Sequence, residues 1–176
     1  MKNKMDRALS ERVETNRKEY NRLLKDSNYI DVRFNEKNGG LSAIHKEHSF
    51  DSTVGKFGIP RGEYERISLD VLYDYGRGVV LESEKSKLNK KFSEGFLDGI
   101  RFDIKGIEGI GGRNIIDKIS HASRQGAESV VLYFHDKNLF DRKKIVNAYK
   151  GYLKLSKTKQ VKTIYYIVDN KLHKLE

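Results

Sequence analysis

Apolar positions along the chain switch between two spacings. Over residues 4–28, Met5, Leu9, Val13, Tyr20 and Leu24 keep a loose helical stripe among many charges, which predicts a helix acting as an appendage or linker. NYIDVRF (28–34) reads as a short strand, NEKNGG as a turn, and LSAIHKEHSFD follows. From Gly62 to Tyr75 the helical spacing returns, with Tyr64, Ile67, Ser68, Val71, Leu72 and Tyr75 on the buried side and Gly76 and Gly78 ending it. GVVLE (78–82) is a short buried strand and ESEKSKLNKK a charged loop. Segments 94–97 and 101–105 alternate as strands around Asp98-Gly99, a two-residue hairpin turn. A helix from Asn114 to Gln125 turns Ile115, Ile116, Ile119 and Ala122 inward. ESVVLYF (128–134) hardly alternates, as expected of a strand covered on both faces. Residues 141–155 form another amphipathic helix, with Ile145, Tyr149, Tyr152 and Leu153 inward, and a strand pair around Asp169-Asn170 closes the chain.

The order after residue 61 is helix, three strands, helix, strand, helix, hairpin. This predicts an α/β fold: a central mixed β-sheet flanked by helices, an αβββαβ core with an added helix and a C-terminal hairpin. Three units are expected: 1–28, an N-terminal helix; 29–61, a histidine-containing linker segment; and 62–176, the main domain.

Composition narrows the partner. Of 176 residues 37 % are apolar and 34 % charged, and the net charge is +10, so a polyanion, nucleic acid first, is the expected partner. An anionic membrane is disfavoured, because no helix pairs a basic face with a strongly apolar one. There is no cysteine, which excludes disulfides and thiolate metal sites. No apolar run reaches membrane-span length, and the N-terminus lacks an apolar signal core, so a cytoplasmic protein, or a toxin fragment delivered into a target-cell cytoplasm, is expected.

The chemistry concentrates in FSEGFLDGIRFDIKG (92–106). Strand alternation puts Arg101, Asp103 and Lys105 on one face and Phe102 and Ile104 on the other. A carboxylate can hold a divalent cation, and a lysine two positions on can orient a water, which is the chemistry of metal-assisted phosphodiester cleavage. A second carboxylate, Glu94 or Asp98, would complete the site, and hard oxygen ligands suit Mg²⁺ or Mn²⁺. Asp98 sits in the turn itself, where aspartate is favoured for backbone reasons, so Glu94 is the expected ligand.

The Asp103-Ile104-Lys105 triplet, the acidic residue before it and the element order over Gly62–Phe134 resemble the PD-(D/E)XK nuclease superfamily. That resemblance implies a glutamate from the preceding helix, Glu65, and a metal held by Glu65, Glu94 and Asp103. It also implies that the following helix lines the substrate groove through Asn114, Lys118, His121 and Gln125, whose spacings of 4, 3 and 4 put them on one stripe. Glu94 departs from the pattern, which has aspartate there. LDGIRFDIKG with the downstream RQGAESVVLYF is further similar to the C-terminal nuclease domains of bacterial contact-dependent inhibition and other polymorphic toxins, whose relatives occur in phage and mobile genetic elements. FNEKNGGLSAIHKEHSFD resembles the segment that precedes such domains. A toxin of this kind implies an acidic immunity protein. The expected function is therefore a toxin-type endonuclease acting on RNA, with tRNA among the candidate substrates, or on DNA. Arg101, Arg113, Lys118 and Arg124 would hold the phosphate backbone.

Two other readings follow from the same residues. His45 and His48, three apart, would share a face if helical and could serve a metal-independent ribonuclease of the barnase, colicin or RelE kind; in a polar loop they would simply be solvated. A mobile-element protein that binds nucleic acid without cutting it is the other. The four glycines of 106–112, ahead of a helix and Arg113, offer backbone N–H groups to a phosphate, or no more than a flexible connection.

Overall fold

Eight strands join one mixed sheet in the order in which the chain makes them, β1 to β8, with helices on both faces. The structure is a computed structural model and describes residues 2–83, 93–157 and 160–176. Most of the charged loop expected at 82–91, and the side chain of Met5, lie outside the described residues.

Helix α1 (Lys2–Leu23) is followed by β1 (Tyr29–Phe34) and β2 (Leu41–His45), an antiparallel pair. Helix α2 (Gly62–Asp74) then crosses to β3 (Gly78–Leu81), which runs parallel to β2. Strands β4 (Gly95–Leu97) and β5 (Ile100–Ile107) continue antiparallel. Helix α3 (Gly112–Arg124), β6 (Ser129–Phe134), α4 (Arg142–Leu155) and β7 (Thr163–Val168) add two parallel steps, and β8 (Lys171–Lys174) folds back. The central mixed sheet with flanking helices is the architecture that the hydrophobic pattern predicts. Both two-residue turns are there too. Asp98 and Gly99 have φ of 50° and 79°, Asp169 and Asn170 of 48° and 55°, the paired positive values of a type I′ hairpin turn.

Strand alternation divides the core. Phe102 and Ile104 of β5 and Val131 and Tyr133 of β6 meet Tyr64, Leu69 and Leu72 of α2. On the other face Ile107, Val130 and Leu132 meet Ile115 and Ile119 of α3 and Ile145 and Tyr152 of α4. Leu23 of α1 packs with Leu41, Ala43 and Val80.

Four expectations need correction. Segment 29–61 is not a linker: β1 and β2 belong to the same sheet as the rest. Helix α1 spans Lys2–Leu23 and not 4–28; among its described side chains Asn16 and Leu23 are buried, and Asn16 Nδ2 donates to the Gly39 carbonyl (2.8 Å). Tyr75 is exposed: the left-handed Gly76 after it ends the helix and leaves its ring outside. Gly106 is no loop glycine but lies inside β5, where an added Cβ would strike the Tyr64 ring. Its bareness lets α2 approach the sheet.

Candidate active site

Strand β5 is long and β4 is short, and the mismatch makes a notch. Gly95 lies opposite Phe102, and from Asp103 onward β5 is paired only with β6. Glu94 immediately precedes β4 and stands at the lip of this notch. Asp103 and Lys105 follow on β5, and Glu65 reaches in from the first turns of α2. A cavity of about 600 Å³ opens here; Glu65, Glu94, Lys105, Lys118, His121 and Gln125 are among its lining residues, with Arg61, Tyr64 and the loop Ser49–Ser52.

The polar groups are deeply placed. Asp103 is 1 % exposed, and Glu65 and Glu94 are 8 % each. Lys105 Nζ lies 2.8 Å from Asp103 Oδ2 and donates to Gln125 Oε1 at 3.1 Å. The Gln125 carbonyl in turn accepts from Ser93 N (2.9 Å), so the end of α3 braces the residue before Glu94. Burial raises the Glu94 carboxyl well above the ordinary range, and the charges of Asp103 and Glu65 raise it further, against a smaller opposing effect of Lys105. Among the described residues, Glu94 Oε2 and Asp103 Oδ1 meet no hydrogen-bond donor. An unsatisfied buried carboxyl oxygen costs about 1–3 kcal/mol. A divalent cation would remove that cost, so the donor set fits one. As the side chains stand, no three His, Cys, Asp or Glu among the described residues are grouped as metal ligands.

The basic wall is α3. Burial lowers the Lys118 ammonium pKa, and the Lys105 charge lowers it further; His121 is lowered by the same two causes in the same order. On the opposite rim Glu108 accepts from Arg61 Nη2 (2.8 Å) and from the Tyr64 hydroxyl (3.0 Å). Those bonds hold Glu108 below the usual carboxylate range and tie loop 51–61 to the end of β5.

Most of the expected site residues converge. Glu65, Glu94, Lys105, Lys118, His121 and Gln125 line one cavity, and Asp103 is bound to Lys105 behind it. Asn114 does not line it; its amide nitrogen lies against Gly109 in the β5–α3 connection. Arg113 and Arg124 are exposed on α3 outside the cavity lining. Arg101 lies at the far end of β5, its guanidinium 5.2 Å from the centre of the Phe96 ring. Asp98 is structural: it accepts from Gly78 N (2.8 Å) and pairs with Arg77.

The histidines separate. His45 ends β2, takes a hydrogen bond from Glu47 N at Nδ1 (3.1 Å) and sets its ring against Tyr29. His48 sits in the turn beyond, its side chain 0 % exposed, with Nε2 3.0 Å from Glu65 Oε2. They share no helical face, and neither is among the cavity-lining residues. Sequence reasoning had no means to find the contact of His48 with Glu65 or the Arg61–Tyr64–Glu108 rim, since these residues are 17 to 47 positions apart and follow no period.

No family model, no curated protein and no solved structure matches this chain. Among the described residues no helix is long and apolar enough to cross a membrane.

Proposed function

We propose that the protein is a metal-dependent nuclease that cleaves phosphodiester bonds of RNA or DNA at the β5 notch. The observation that carries this reading is the convergence of Glu65, Glu94 and Lys105 on one cavity, with Asp103 behind it and two buried carboxyl oxygens left without a donor. Glu65, Glu94 and Asp103 would hold Mg²⁺ or Mn²⁺, which when bound would polarise the phosphate and lower the pKa of a water. Lys105 keeps Asp103 in place and spends two of its three donors on Asp103 and Gln125. Its third would orient water or a phosphate oxygen. Lys118 and Arg61 line the cavity and would neutralise phosphates there, while Arg113 and Arg124 extend the basic surface along α3. If the protein is a delivered toxin, an acidic immunity protein would fit the same basic wall.

The ribonuclease reading through His45 or His48 loses ground, because the His48 ring is fully buried behind Glu65 and His45 points to Tyr29. The deciding experiment is cleavage of total tRNA and of plasmid DNA with Mg²⁺, Mn²⁺ or EDTA. Cutting that needs metal and is lost in Asp103→Asn supports the proposal. Cutting in EDTA, or no cutting of either substrate, overturns it; the last result leaves a nucleic-acid binder.

A further inference from the structure

His48 is fixed on every side that the structure describes. Its ring Nδ1 lies 2.7 Å from the Glu82 carbonyl oxygen. A carbonyl only accepts, so Nδ1 carries the proton of that bond. Its Nε2 faces Glu65 Oε2 at 3.0 Å. The Phe50 ring stands edge-on to it, 4.7 Å between centroids, and the Arg66 guanidinium covers Phe50 at 3.7 Å. The backbone N–H of His48 closes a turn on the His45 carbonyl (2.8 Å).

Glu82 is the other half of the device. Its N–H donates to the Glu94 carbonyl (2.8 Å), the rung that carries the β3–β4 ladder past its last strand residues. The Tyr29 hydroxyl of β1 donates to Glu82 Oε1 at 2.7 Å. One peptide neighbourhood therefore joins both carboxylates: Glu65 to the His48 ring, the ring to the Glu82 carbonyl, and the Glu82 N–H to the Glu94 backbone. These links fix where a carboxylate from α2 stands relative to one from the edge of β4.

We propose that His48 is a positioning residue, which orients the Glu65 carboxylate and, through Glu82, sets its spacing from Glu94 for a divalent cation. The inference rests on the metal-dependent reading of the cavity. It assigns His48 no contact with substrate. Partners that orient a ligating side chain typically change metal affinity ten- to a hundredfold when removed.

The two ring nitrogens can be tested apart. In His48→Asn the amide nitrogen falls near Nδ1, so the Glu82 bond survives and the Glu65 bond is lost. In His48→Gln it falls near Nε2 and restores a donor to Glu65. Mn²⁺ affinity by calorimetry, melting temperature and cleavage kinetics are measured for wild type, both variants and Asp103→Asn. The expected result is a Mn²⁺ affinity about ten- to a hundredfold weaker in His48→Asn, with kcat lowered at constant substrate KM, and only partial recovery in His48→Gln, which returns the donor to Glu65 but loses the link to the Glu82 carbonyl. If His48→Asn folds poorly, His48→Met, which fills the volume and donates nothing, reads the same loss. A His48→Asn or His48→Met protein that binds Mn²⁺ as wild type does, while Asp103→Asn does not, overturns this inference and leaves the nuclease reading standing. Wild type that binds no Mn²⁺ overturns the metal reading and this inference with it.

Discussion

Tyr152 and Asp103 are both shut away from solvent, at 0 % and 1 % exposure, yet their polar atoms fare in opposite ways. The Tyr152 hydroxyl, in the half built on α3, α4, β6 and β7, shares a hydrogen bond with Ser123 Oγ (2.9 Å) and accepts one from Val161 N (3.1 Å). In the β5 notch the carboxyl groups crowd together, and two of their oxygens lack a donor. The Tyr152 hydroxyl is satisfied twice over, whereas the notch carboxyl groups are buried at a cost that the proposed cation would offset. On the proposed reading, that difference is what a cation at the notch would offset.

The largest effect should come from the notch. Asp103→Asn should lower metal-dependent cleavage by about 10³-fold, read as single-turnover rates, with no loss of melting temperature. A variant that still cuts breaks the contrast at its root. Next in size, Tyr152→Phe should cost about 1–3 kcal/mol in denaturant unfolding, because Val161 N–H and the Ser123 hydroxyl each lose a partner, while activity per folded molecule stays unchanged.

Glu94→Gln should do the reverse and stabilise the metal-free protein, by on the order of 1 kcal/mol above neutral pH. The sign follows from linkage: the folded carboxyl is raised above its unfolded value, so both states are protonated in acid and the group is neutral in effect there. As pH rises from the unfolded pKa through the folded one, the wild type loses stability that the amide keeps. Melting curves from pH 4 to 9 in EDTA check this, and a gap between the two proteins that does not widen with pH would refute it. The smallest effect is Arg124→Ala on α3, which should weaken nucleic-acid binding modestly and reduce the slope of log affinity against log salt by about 1, with no change in Mn²⁺ affinity.

How much of this was legible in the sequence depends on distance along the chain. The Asp98-Gly99 turn and the alternation of β5 place Asp103 and Lys105 on one side from local rules alone. The stripe Lys118, His121, Gln125 follows from helical periodicity, and Asn114 escapes it with its side-chain amide against Gly109. Segment 29–61 was legible only in part: NYIDVRF reads as the strand that β1 is, but β2 is buried on both faces, so no alternation announces it, and the loop that follows is held by bonds to Glu65, Glu82 and Glu108, each set by tertiary placement. Leu24 and Tyr75 show the converse. Both lie at apolar positions of a helical stripe, but each falls just beyond the last turn, where the period no longer governs direction.

The strictly sequential strand order has a mechanical consequence. Each strand's neighbours in space are its neighbours in sequence, so force applied at either edge of the sheet removes strands one at a time, β1 then β2 or β8 then β7, with no strand threaded between others. Asp51 apart, the cavity draws its acid, lysine and glutamine residues from 65 to 125, the middle of the chain. Peeling from the β8 edge therefore removes β8 and β7 before the strand beside the notch, whereas peeling β2 pulls at once on the loop Ser49–Ser52 that lines the cavity.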